Sequence, residues 1–225
     1  MTNPKQRPTS RRDFLRTATG FVGAGVAARF TAPAVVSGAG ASDRLRVGLI
    51  GCGSRGTGAA NQALAAEKNV ELAAIGDLFP ERIDQSLAAL EKRWPKKINV
   101  PAERRFLGFD AYQKVIESDV DVVLLTTPPG FRPPHLRAAV AAGCHSFMEI
   151  TAGVDAPGVR SVLESAELAK KKNLGILSGF CWRYNQRHRG ALEQIRQGAI
   201  GEIRTVYATY LRGDLSHKYH GPRQP

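Results

Sequence analysis

The chain has 225 residues, 43% of them hydrophobic, and 32 Lys and Arg stand against 20 Asp and Glu for a net charge of +12. That surplus forms no nucleic-acid module, because the basic residues are scattered over amphipathic helices and the aromatic residues are not interleaved with them as a stacking platform requires. Three widely spaced cysteines, Cys52, Cys144 and Cys181, show neither a C-x-x-C nor a Cys/His ligand spacing, so neither a zinc site nor a disulfide framework is indicated.

The first 41 residues read as an export signal. Ser10-Arg11-Arg12-Asp13-Phe14-Leu15 is a twin-arginine pattern, followed by Arg16 and a moderately apolar stretch at 18–28. That stretch is far short of the roughly 20 apolar residues a membrane span needs, and is rich in Gly and Ala, as the central region of a signal is. Small residues suited to cleavage stand at Ala32-Pro33-Ala34 and at Ala39-Gly40-Ala41, with the second favoured. The segment holds six basic residues against Asp13, so its removal leaves a net charge of about +7. The expectation is export, already folded, by the twin-arginine translocation machinery to the periplasm or beyond.

Residues 46–50 form a short apolar strand that runs into Gly51-Cys52-Gly53-Ser54-Arg55-Gly56, a G-x-G-x-x-G turn. A helix over 57–68 and a second strand over 70–75 follow, ending at Asp77. Each part has a physical job in dinucleotide binding. Gly51 permits a tight turn, Gly53 lets a pyrophosphate approach the backbone, and Gly56 lets helix and strand pack closely. The helix N-terminus offers unpaired N–H groups to the phosphates, and Asp77 stands where a carboxylate accepts ribose hydroxyls.

The alternation of strand and helix then continues, as in a doubly wound parallel α/β sheet. An amphipathic helix over 80–93 carries Ile83, Leu87 and Leu90 on one face. Residues 94–108 read as an irregular surface loop and 109–117 as a short helix. A continuously apolar strand over 120–126 stops at Thr127-Pro128-Pro129. A helix over 134–142 ends at Gly143, a strand covers 144–150, and Asp155 caps a helix running to 172. A last short strand is expected at 174–178. Ligands in such sheets lie beyond the carboxyl ends of the strands, so the glycine turn, Asp77, Thr126 to Pro128 and Glu149 fall along one rim.

The strings V-G-L-I-G-C-G-S-R-G, I-G-D-L-F-P-E-R, L-L-T-T-P-P and A-A-G-C-H-S-F-M-E together resemble the Gfo/Idh/MocA oxidoreductase family, over roughly residues 44–212. Secreted members resemble the chain most, among them glucose–fructose oxidoreductase-like proteins and NAD-dependent glycosidases. The resemblance implies an NAD(P)-binding Rossmann domain at 42–180, followed at 181–225 by the start of an incomplete α/β substrate domain. It implies that Gly51, Gly53, Ser54, Arg55 and Gly56 line the pyrophosphate, that Asp77 holds the adenosine ribose, and that Thr126, Thr127 and Pro128 lie beside the nicotinamide ribose, with His135 nearby on the next helix; Glu149, on the same rim, is counted among the cofactor-binding residues. Asp77 favours NAD over NADP, a preference that Arg82 slightly weakens. The implied substrate is a sugar or polyol, and a full-length member would form homo-oligomers.

Two departures stand against this resemblance. The family's Glu-Lys-Pro reads Glu149-Ile150-Thr151 here, and an isoleucine cannot carry a proton. No catalytic residue is assigned on this basis; Glu149 and His135 are the candidates. Residues 203–211 look like the first strand of a larger sheet, yet the chain ends at Pro225, so it is expected to be a fragment whose own activity is nucleotide binding. His217 and His220 read as surface residues. Arg183, Arg187, His188 and Arg189 form either an anion-facing patch or plain surface. Two alternatives to hydride transfer stay open: an NAD-dependent glycosidase and a non-catalytic nucleotide-binding relic.

Overall fold

The structure, a computed structural model, describes residues 44–211. The export signal expected at 1–41 and the histidines at 217 and 220 lie outside the described residues. Six parallel strands form one sheet: β1 (Leu45–Ile50), β2 (Val70–Asp77), β3 (Arg105–Leu107), β4 (Val122–Leu125), β5 (His145–Met148) and β6 (Ile176–Ser178). Their order is β3-β2-β1-β4-β5-β6. From β1 the chain winds outward through β2 and β3, then returns to the other side of β1 as β4. That reversal opens a crevice at the carboxyl ends of β1 and β4, where Ile50 pairs with Leu125.

The helices divide between the two faces. α1 (Ser54–Ala66) and α2 (Pro80–Arg93) cover one face, where Leu64, Ile83, Leu87 and Leu90 meet Val47, Leu49, Leu72 and Ile75. α3 (Ala111–Ile116), α4 (Arg132–Ala142) and α5 (Ala156–Lys171) cover the other, where Val115, Leu136, Val140 and Ala169 meet Ile50, Val123, Leu125 and Met148. Coverage on both sides buries every residue of β2, which is why that segment is apolar at most positions rather than alternating. The expected helix signals are in place. Pro80 opens α2 and Lys92 and Arg93 close it, Asp155 caps α5 by accepting from the Gly158 amide at 2.7 Å, and α4 ends at Gly143 with φ +86°.

Two expectations are corrected. The stretch 94–108 is not all loop. It contains a 3-10 turn, Ala102–Arg104, and the edge strand β3, whose Arg105 and Leu107 pair with Ile75 and Asp77. Its three residues are exposed or half-buried, so no hydrophobic run marks it. Residues 203–211 form no strand, and Tyr207 and Leu211 are more than nine-tenths exposed. A strand needs a backbone partner, and none meets this segment among the described residues. Before it lie a 3-10 turn, Cys181–Tyr184, and α6 (Gln186–Arg196), which has no buried residue. β4 and β5 are shorter than expected by one or two residues at their ends, which releases Thr126 and Glu149 to the rim. Among the described residues no helix is long and apolar enough to cross a membrane.

Candidate dinucleotide cleft

The turn after β1 is built from close approaches. Gly51 takes φ +95°, a backbone conformation that side chains rarely adopt. Its amide donates to the Gly76 carbonyl at 2.8 Å, and its own carbonyl accepts from Thr126 Oγ1 at 2.6 Å. The turn is thereby tied to β2 on one side and to the end of β4 on the other. A Cβ on Gly56 would stand 1.8 Å from the Gly51 carbonyl oxygen, so α1 meets the strand this closely only with glycine there.

Gly53 is different. The nearest protein atom to a Cβ placed on it would be Arg82 Nη1, at 3.7 Å, an ordinary contact with the end of a flexible side chain. Protein packing therefore does not demand glycine at this position; the free face opens on the cleft. Gly53 is also the cap of α1 and provides no side-chain acceptor, so the amides of the first helical turn stay available to an anion. Both features fit a pyrophosphate.

Asp77 ends β2 and lies against this turn. Its Oδ2 accepts from the Cys52 amide at 2.6 Å and its Oδ1 from the Phe79 amide at 3.0 Å. A carboxylate has about four acceptor sites, so both oxygens retain capacity for ribose hydroxyls. Cys52 itself is buried. Its thiol donates to the Gly76 carbonyl at 3.4 Å, and burial, with the Asp77 charge beside it, pushes its pKa far up. The small thiol packs the turn and is held protonated.

The opposite wall comes from the β4–α4 connection. Thr126, Thr127, Pro128, Phe131, Arg132 and His135 line a cleft of about 340 Å³ together with the glycine turn and Asp77. The His135 ring stacks on Tyr112 at 4.1 Å between centroids, and its Nδ1 is 3.3 Å from Thr127 Oγ1. Burial brings this imidazole down to about 4, so it is neutral near pH 7 and can hydrogen-bond but does not contribute a positive charge. Of the residues expected at the site, Gly51, Gly53, Arg55, Gly56, Asp77, Thr126, Thr127, Pro128 and His135 all line the cleft.

Ser54 and Glu149 do not. Glu149 follows β5 and is nearly buried, with its carboxylate 2.7 Å from the guanidinium of Arg55. The pair ties the first turn of α1 to the end of β5. Arg132, 6% exposed, donates from Nη1 to the Thr151 carbonyl at 2.5 Å. Its Nε has no partner among the described residues; burial lowers the pKa of the guanidinium, and Glu149 works against that. Ile150 points elsewhere. It lines a wider apolar depression with Phe180, Trp182 and Tyr210. The basic group at 183–189 is exposed, with Arg183 over the Phe180 ring and His188 edge-on to Trp182.

Sequence reasoning missed the aromatic lining of Phe79, Phe109, Tyr112 and Phe131, and Arg132 as well. Position was the only signal for them. Phe79 lies two residues past Asp77, and Phe131 and Arg132 lie between the end of β4 and His135.

Residues 45–176 match the model of the Gfo/Idh/MocA group, described as an oxidoreductase family with an NAD-binding Rossmann fold. A glycosyl hydrolase family 109 protein of Shewanella amazonensis is 29% identical over 171 residues, which are 74% of this chain and 35% of that protein. The homologue from Shewanella pealeana is 27% identical, over 75% of this chain and 36% of its own length. The chain thus spans about a third of the curated relatives it matches. Among solved structures, scyllo-inositol dehydrogenase from Lactobacillus casei with NAD(H) and scyllo-inositol superposes with a TM-score of 0.56 at 22% identity, over 71% of this chain and 43% of that one. A 3-ketoreductase from Actinomadura kijaniata with NADP and TDP-benzene gives 0.56 at 25% identity, over 72% and 45%.

Proposed function

The chain belongs to the Gfo/Idh/MocA family of NAD(P)-binding oxidoreductases, and on that premise we propose that its cleft holds NAD and that the protein passes hydride between the nicotinamide and a sugar or polyol. The observation that carries this is the free face of Gly53, set between the uncapped N-terminus of α1 and the Asp77 carboxylate. Gly51, Gly53 and Gly56, with the backbone amides of Ser54 and Arg55, would hold the pyrophosphate, Asp77 the adenosine ribose, and Thr126, Thr127 and Pro128 the nicotinamide ribose. The bound dinucleotide supplies a hydride acceptor at C4.

The chain's own residues would orient that group. Phe79, Phe109 and Phe131 give the cleft apolar walls. His135 stays neutral and hydrogen-bonded to Thr127. With isoleucine at 150, the positive charges at the β5 end are those of Arg55, paired with Glu149, and of Arg132, whose guanidinium donates to the Thr151 carbonyl and keeps its proton. The Asp77 charge repels a 2′-phosphate, which favours NAD over NADP. Calorimetric titration of the full chain tests the proposal. Saturable NAD binding, weaker NADP binding, and weakened NAD binding with loss of the NAD preference in Asp77→Ala are expected; a folded chain that binds neither dinucleotide overturns it.

A second reading rests on the family 109 glycosyl hydrolases among the relatives. In NAD-dependent glycosidase chemistry a sugar hydroxyl is oxidised transiently, which acidifies the neighbouring C–H and allows elimination of the aglycone. Release of nitrophenol from aryl glycosides without added NAD supports this reading; reduction of added NAD by free sugars or polyols supports the first. Export is part of the same proposal and rests on the twin-arginine pattern at 10–15. Replacing Arg11 and Arg12 by lysine is expected to hold the protein in the cytoplasm, and unchanged export by that variant counts against the twin-arginine route.

A further inference from the structure

We propose that Arg82 is the side-chain cation for the dinucleotide's pyrophosphate, an inference that rests on the nucleotide-binding reading above. Three arginines line the cleft: Arg55, Arg82 and Arg132. Arg55 is committed to Glu149, and also to Gln62 Oε1 at 3.2 Å. Arg132 is committed to the Thr151 carbonyl beside Glu149. Arg82 forms no ion pair among the described residues, not even with Asp77 five positions earlier.

Its position is nonetheless defined. The guanidinium lies over the Phe79 ring, 5.1 Å from the centroid, and its Nη1 stands 3.7 Å from where a Gly53 Cβ would be. The aromatic face supports a flat cation while leaving its N–H edges free. Those edges border the Gly53 face of the glycine turn, which protein packing leaves open. Arg82 is also the third residue of α2, where the positive end of the helix disfavours a cation, so its own helix gives no reason for the charge. A phosphate diester resting on the amides of α1 gives that reason, since it would take a charge-assisted hydrogen bond from Arg82 on its outer side.

This placement separates Arg82 from the choice between NAD and NADP. A 2′-phosphate would sit on the adenosine ribose beside Asp77, whereas Arg82 faces Gly53. Arg82 therefore strengthens both dinucleotides alike, and discrimination is left to Asp77.

The test compares the full chain with Arg82→Met and Arg82→Lys. Calorimetry measures NAD, NADP and ADP, and ligand-observed NMR measures adenosine, which has no phosphate. Arg82→Met is expected to raise the Kd for NAD, NADP and ADP by about tenfold each, as loss of one charged hydrogen bond does. Adenosine binding should be unchanged, the salt dependence of NAD binding should fall, and Arg82→Lys should recover part of the loss. Because Arg82 is exposed, both variants should melt with the wild type. A loss confined to NADP would make Arg82 a 2′-phosphate reader and overturn the inference. Equal weakening of adenosine would make it part of the platform for the base and overturn it too, as would unchanged affinities throughout. A wild type that binds no dinucleotide removes the underlying reading itself.

Discussion

The amide of Cys52, inside the glycine turn, donates to Asp77 Oδ2 at 2.6 Å across 25 residues of sequence. The same carboxylate receives the Phe79 amide, so Asp77 holds the glycine turn against the end of β2. Asp77→Ala would leave two backbone donors without their acceptor, at a cost of about 1–3 kcal/mol. Its melting temperature without nucleotide should fall, and Asp77→Asn, which keeps one acceptor oxygen, should fall less. An alanine variant that melts with the parent would limit Asp77 to contact with ligand.

The glycines of the turn should separate into two classes. Gly56→Ala drives a Cβ onto the Gly51 carbonyl and should destabilise the fold by roughly 3 kcal/mol or more, because the obstruction is backbone. Gly53→Ala meets only the tip of Arg82 and should leave the melting temperature close to that of the wild type while weakening NAD at least tenfold, about 1.4 kcal/mol. Parallel melts and titrations of the two variants check the division; a Gly53→Ala variant with full affinity counts against a pyrophosphate at that face.

His135 makes stability depend on pH with a definite sign. Its folded pKa is depressed by burial from 6.5 to about 4, so the unfolded chain binds its proton first. Stability from this residue is complete above about pH 6.5 and is lost as the pH falls toward 4, on the order of 3 kcal/mol over the window. Denaturant melts between pH 7 and 4 should show that slope, and His135→Gln should flatten it. A slope that survives the substitution unchanged would assign it to other groups.

The three thiols should differ in reactivity. Cys52 and Cys144 are buried and burial raises the pKa of both, whereas Cys181 is exposed on the 3-10 turn after β6. Iodoacetamide at pH 8 should label Cys181 alone in the native protein, with the other two reacting only in denaturant, as peptide mass spectrometry would read. Rapid native labelling of Cys52 would mean that the glycine turn opens.

The glycine turn, Asp77 and the alternating strands and helices were legible because each is a local pattern. Spacing of glycines, an acid at a strand end and the periodicity of apolar residues depend on neighbours a few positions away, and those neighbours are in the sequence. The edge strand β3 escaped because hydropathy reports burial, and a three-residue strand at the sheet's margin has little of it. Residues 203–211 misled in the opposite direction. They have a strand's composition, but composition does not supply the backbone partner a strand requires.

What the sequence by itself determined, then, is the family, the order of the elements and the line of residues along the strand ends. What only the tertiary structure decided is which side chains those elements bring together. Arg55 meets Glu149 across 94 positions, Arg82 turns toward Gly53 instead of pairing with Asp77, and His135 is stacked and desolvated until it is neutral. Contacts and protonation states of this kind depend on packing distance and on the removal of water, both of which come into being only when the sheet closes against its helices.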